Sequence, residues 1–121
     1  LGNADMAGFA IAALVGTIAL GVVVGLLFLQ RARKPKLVAA HLVLALVATG
    51  MVLGLVVTAP AGTAGPHWLV PLGLVAAALA GGYFAGKLAR GSRRGGELIL
   101  FGHVVAGLAG FLVFLAWVRH I

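Results

Sequence analysis

Residues 6–30, 37–58 and 98–118 carry no formal charge, and residues 68–88 carry only Lys87, near their end. A helix rising 1.5 Å per residue needs about 20 predominantly apolar residues to cross the hydrocarbon of a bilayer. Each stretch meets that length, and no soluble fold could hide all of them. The chain has 121 residues, of which 63% are hydrophobic and 9% charged, with a mean hydropathy of +1.20. An ordinary soluble domain has roughly 25% charged residues. There is too little polar material here to cover a water-facing surface. The expected fold is therefore all-α: an integral membrane domain over residues 1–121, with transmembrane spans at 6–30, 37–58, 68–88 and 98–118.

The connections agree. The opening LGNADM is polar, with Asp5 its only charge. The chain opens at Leu1 rather than a methionine, which points to processed or further upstream sequence. The basic residues follow the first apolar stretch, whereas a secretory signal has a basic leader and a shorter core. A retained helix is the expectation. RARKPK, residues 31–36, reads as a tight basic turn in which Pro35 discourages helix continuation. TAPAGTAGPHW is a Pro/Gly-rich loop, with Trp68 placed as an interfacial aromatic. Pro71 falls in a first helical turn, where a missing N–H is harmless. KLARGSRRGGE is a second basic loop. Eight of the nine Lys and Arg residues lie in the first and third connections: Arg31, Arg33, Lys34, Lys36, Lys87, Arg90, Arg93 and Arg94. The positive-inside rule puts both connections in the cytoplasm and both termini outside. An up-down-up-down four-helix bundle follows.

Two spans carry a histidine inside them. His41 lies five residues after Lys36, and His103 lies six after Glu97. Spans two and four run in the same direction, so both histidines sit roughly 6–9 Å inside the cytoplasmic boundary. Helices two and four are diagonal in such a bundle, and both rings can point at its centre. Ala45, Ala48 and Val52 share the helix face of His41. Ala106, Gly107 and Gly110, then Phe114 and Trp117, share that of His103. A face of alanine and glycine leaves a slot for a flat ligand. Haem iron accepts two axial imidazoles, and a bundle core can hold the macrocycle. Lys36, Arg90, Arg93 and Arg94 lie on the side where propionates would seek cations. Against this stands histidine as interhelical hydrogen-bonding glue, or as ligand to something else, in helices where alanine and glycine are common anyway. Ionisable residues inside spans are functional by default.

Other features read more plainly. His67 and His120 sit at the outer boundary, outside the spans. They suit interfacial histidines facing water better than a second haem, a metal or a quinone site. Tyr83 reads as an interfacial anchor, or as a contact to a haem edge or quinone head. Gly16, Gly21, Gly25, Gly81, Gly82 and Gly86 are small residues that let helices approach, and Gly50 and Gly54 form a G-x-x-x-G. The basic loops attract anionic lipid. With no cysteine, disulfides, thiolate metal sites, iron–sulfur clusters and covalent haem attachment are excluded. No carboxylate lies in a span, which disfavours a proton-coupled transporter. No nucleotide-binding loop or Ser/His/Asp set is present. The net charge of +7 flanks apolar spans, so it reads as a topology signal rather than a nucleic-acid surface.

With His41 and His103 in this layout, the chain resembles the membrane b-type cytochromes of respiratory enzymes. These include the anchors of succinate dehydrogenase and the cytochrome subunits of formate dehydrogenases and hydrogenases. The resemblance covers the four-span layout and the two histidines. It implies one haem b held by His41 and His103, with electrons exchanged with quinone or a partner redox subunit of a larger complex in an energy-transducing (inner or cytoplasmic) membrane. A second haem would need four suitably placed histidines. The main alternative is a haem-free accessory subunit that packs by its glycine-rich faces against a larger membrane complex. A small transporter or channel is a third.

Overall fold

The computed structural model describes residues 2–32, 34–59, 62, 67, 69–88 and 91–121. Arg33, Trp68 and Arg90, and most of the Pro/Gly-rich loop, lie outside them. The described residues form four helices and no strand: α1 (Asn3–Leu29), α2 (Pro35–Thr58), α3 (Leu69–Leu88) and α4 (Arg93–Val118). All four are long and apolar enough to cross a membrane.

The helices overrun the apolar stretches at both basic connections. α2 starts at Pro35 itself, with Lys34 as its N-cap residue. Pro35 therefore opens a helix, because its locked φ suits a first turn and its missing N–H is lost to no bond there. α4 starts at Arg93, five residues before the apolar stretch. The Ser92 hydroxyl caps it by accepting the Gly95 N–H at 3.2 Å, and Arg93 pairs with Glu97 at 3.1 Å one turn on. α1 likewise begins in the polar opening, at Asn3. Hydropathy marks where lipid begins, and a helix can continue past that point into water. The end of α1 is equally well defined. Ala32 N–H bonds the Leu27 carbonyl, Arg31 N–H bonds the Phe28 carbonyl, and Arg31 sits at φ 59°. This is a Schellman termination with arginine in the left-handed position where glycine is usual.

In lipid every backbone and hydroxyl group must find its partner within the protein. Thr17, Thr49 and Thr58 do so by donating to the carbonyls of Ala13, Ala45 and Gly54 on the preceding turn, at 2.7–2.8 Å. No charged or polar residue is buried among those described. Large apolar side chains face outward instead: Val57 is 74% exposed and Phe101 71%. That surface is suited to lipid contact.

The chain divides into two compact units, residues 1–59 and 60–121. The first is the antiparallel hairpin of α1 and α2. Gly21 meets His41, Gly16 meets Leu44, and Met6 meets Gly54. The second is the antiparallel hairpin of α3 and α4, where Gly81 and Gly82 meet His103, Ala78 meets Gly107, and Leu74 meets Gly110.

The two hairpins share one internal pattern. Ala48, Val52 and Leu55 are buried on α2 and follow His41 by seven, eleven and fourteen residues. Gly110, Phe114 and Trp117 are buried on α4 and follow His103 by the same intervals. On the first helix of each pair, Leu14 and Ala10 precede Gly21 by seven and eleven residues, and Val75 and Pro71 precede Gly82 likewise. All four of these side chains are buried. Of the seven matched positions, only the glycine and the histidine carry the same residue in both hairpins.

Candidate functional site: two histidines seated on glycine

Each intramembrane histidine occupies the seam of its own hairpin. His41 stands two turns before Ala48 on the buried face of α2. Its ring lies against Gly21 of α1, where a methyl group would come within 2.8 Å of Cε1. Real Cβ atoms do not approach so closely, so the absence of a side chain at Gly21 is what admits the ring. Ala45 is half-buried on the same stretch and Ala48 is buried at 1% exposure.

His103 is held more fully. Its Cα and Cβ lie over Gly81, and its ring lies over Gly82. A methyl at Gly82 would stand 3.0 Å from Cε1 and 3.3 Å from Nδ1. Nδ1 is hydrogen-bonded to the Ala78 carbonyl of α3. A carbonyl only accepts, so Nδ1 carries the proton and donates, and the lone pair of the neutral ring is on Nε2. Further along α4, Gly107 faces Ala78, and Gly110 lets the α3 backbone approach closely. A methyl at Gly110 would stand 3.1 Å from Leu74 Cβ and 3.4 Å from Val75 N. Ala106 is half-buried beside them. Within the second hairpin, the space beside Gly107 and Gly110 is therefore occupied by α3.

The remaining sequence candidates sort cleanly. His67 lies at the start of α3, where its Nδ1 accepts the Leu69 N–H at 3.2 Å and its carbonyl accepts from Val70. It serves as a helix cap. His120 is exposed at the end of α4. Tyr83 is 61% exposed, edge-on to Phe84, with Lys87 Nζ 6.0 Å from its ring centre. Its ring thus faces outward from the second hairpin. Trp117 is buried, 6.1 Å from Phe114 between ring centres. Of the cations near the histidines' end of the spans, Lys36 and Arg94 are exposed and Arg93 is paired with Glu97. Gly50 has open space about it, and Gly54 meets only the tip of Met6. Neither position brings two backbones together within the first hairpin.

Sequence reasoning singled out the histidines but treated Gly21, Gly81 and Gly82 as generic packing residues, and it had no access to Ala78. A signal existed. Two G-x-x-x-G strings, Gly21–Gly25 and Gly82–Gly86, precede the two histidines by nearly equal distances, 20 residues in one hairpin and 21 in the other.

Four membrane-length helices with this outward-facing apolar surface define a multi-pass α-helical membrane protein. Comparison with protein-family models, curated proteins and solved structures finds no match for the chain.

Proposed function

We propose that this protein is a haem b-binding electron-transfer subunit, with His41 and His103 as the axial-ligand candidates. The observation that carries this reading is the His103 hydrogen bond. A ligating histidine normally donates its other ring N–H to a carbonyl or carboxylate, which fixes the tautomer and raises the basicity of the coordinating nitrogen. Ala78 is such a partner, and it makes Nε2 the nitrogen with the lone pair. The donor set suits the group as well. No three His, Asp or Glu side chains gather among the described residues. A macrocycle that brings four nitrogens of its own asks the protein for only one or two. When bound, such a haem supplies a one-electron ferric/ferrous couple. The chain's part is to hold the imidazoles, exclude water, and present basic residues such as Lys36 and Arg94 for the propionates. The partner would be quinone or another redox subunit of a larger complex in an energy-transducing membrane. By the charge of its connections, both termini face outward from the cytoplasm.

A second reading has its own support. Both imidazoles are seated inside their own hairpins against glycine, as expected of histidines that knit helices together. On that reading the protein is a haem-free accessory subunit. One experiment separates the two: a reduced-minus-oxidised visible spectrum of protein isolated with haem available, with a pyridine haemochrome assay. A b-type spectrum lost in His41→Ala or His103→Ala establishes the ligand role of the residue replaced. A folded, colourless protein leaves the accessory subunit as the function.

A further inference from the structure

We infer that Gly21 and Gly82 are positioning residues, each the seat of one intramembrane imidazole. At His103 the seat and the Ala78 carbonyl together fix the ring as the Nδ1–H tautomer. The ligand role this gives the histidines rests on the haem reading. The seats and the tautomer do not.

Three observations carry the inference. In both hairpins a G-x-x-x-G string of the first helix faces the histidine of the second through its first glycine alone. A methyl at Gly21 would collide with the facing ring and one at Gly82 would press on it at 3.0 Å, whereas nothing lies within 4 Å of the space a methyl would fill at Gly25 or Gly86. A G-x-x-x-G that served close backbone contact between helices would use both glycines. Here only the one opposite a ring is occupied. Next, the matched burial intervals make the two seats equivalent places in two hairpins whose other matched residues differ, Ala10 against Pro71 and Leu55 against Trp117 among them. Side-chain size differs between the two hairpins at those positions, while the glycine and histidine are the same. Finally, the ring over Gly82 lies where its Nδ1 reaches the carbonyl of Ala78, one turn earlier on the same helix. A methyl at residue 82 would stand 3.0 Å from Cε1 and 3.3 Å from Nδ1, pressing on the ring where it makes that bond. Glycine at 82 therefore gives the ring the room to hold that bond, and the tautomer the bond selects makes Nε2 the nitrogen able to coordinate a metal.

The test uses full-length protein labelled with ¹⁵N-histidine in lipid nanodiscs, without haem. Two-bond proton–nitrogen correlations then read the tautomer of each ring. His103 is expected as Nδ1–H. Gly82→Ala is expected to remove that tautomer's predominance and leave the His41 signals in place, while Gly21→Ala shifts His41 and leaves His103. Gly25→Ala and Gly86→Ala should shift neither. Circular dichroism confirms that each variant is helical. If Gly82→Ala does not fold, the unsubstituted protein and Gly86→Ala still decide the matter. His103 found as Nε2–H overturns the inference, as does an equal response to Gly82→Ala and Gly86→Ala. Haem titration of the same samples separates the two claims. A 10–100-fold weaker affinity in Gly82→Ala, of the size typical for loss of an orienting partner, ties the seat to ligation. Expected tautomers with no haem uptake by any sample sink the haem reading and leave the seats standing.

Discussion

Arg31 is the one non-glycine residue with positive φ among those described, and it is exposed at the end of α1. Left-handed backbone costs an L-residue roughly 1–2 kcal/mol, against about 0.5–1 kcal/mol of extra chain entropy lost when glycine is ordered. Arg31→Gly should therefore stabilise the first hairpin by ~0.5–1 kcal/mol, seen as a higher unfolding midpoint in detergent. A lower midpoint would mean that the arginine side chain does more for the fold than its backbone costs. Gly110 illustrates the opposite constraint. Its neighbours across the seam are the backbone of Leu74 and Val75, which cannot swing aside as a ring can. Gly110→Val should cost about 1–3 kcal/mol through overpacking. Gly102→Ala, inside α4 with nothing within 4 Å, should instead raise the unfolding midpoint, adding up to about 1 kcal/mol, because alanine is the better helix former. Comparable losses in both would show that the close approach at the seam is not what sets the cost at Gly110.

At the scale of the element, helix ends were the least legible feature. Apolar length marks the span, and the cap marks the helix. At α4 the two differ by five residues because Ser92 caps the N-terminus and Arg93 and Glu97 support the first turn. Ser92→Ala should destabilise that turn by about 0.5–2 kcal/mol. Faster hydrogen exchange at the Gly95 amide would report it, and unchanged exchange would mean that the pairing of Arg93 and Glu97 holds the turn without the cap. The histidine-bearing faces were readable in advance. Residues spaced seven, eleven and fourteen positions after each histidine return to one side of a 3.6-residue helix, and they are buried on both α2 and α4, as is Gly96, seven before His103. What lies opposite was not readable. Spacing along α4 cannot show that His103 meets Gly82 and the Ala78 carbonyl, since that depends on the register of α3 against α4.

For the whole molecule, the orientation proposed from charge has a direct test, because the chain has no native cysteine. Gly91→Cys, at an exposed position just before α4, should react with an impermeant maleimide only after the membrane is opened. Gly2→Cys should react from outside intact cells. The reverse pattern would turn the protein over and place the histidines near the outer face.

Membrane character, the number of spans and the inward faces of α2 and α4 were determined by the sequence alone. They follow from apolar length and helical periodicity, which are properties of a chain segment taken by itself. Tertiary structure alone decided what each imidazole touches, which nitrogen of His103 holds its proton, and that the two hairpins repeat one pattern. Those depend on which residues two antiparallel helices bring level across a seam, and that register is set by side-chain volume. In both hairpins it closes around the same pair, a ring on one helix and a residue with no side chain on the other.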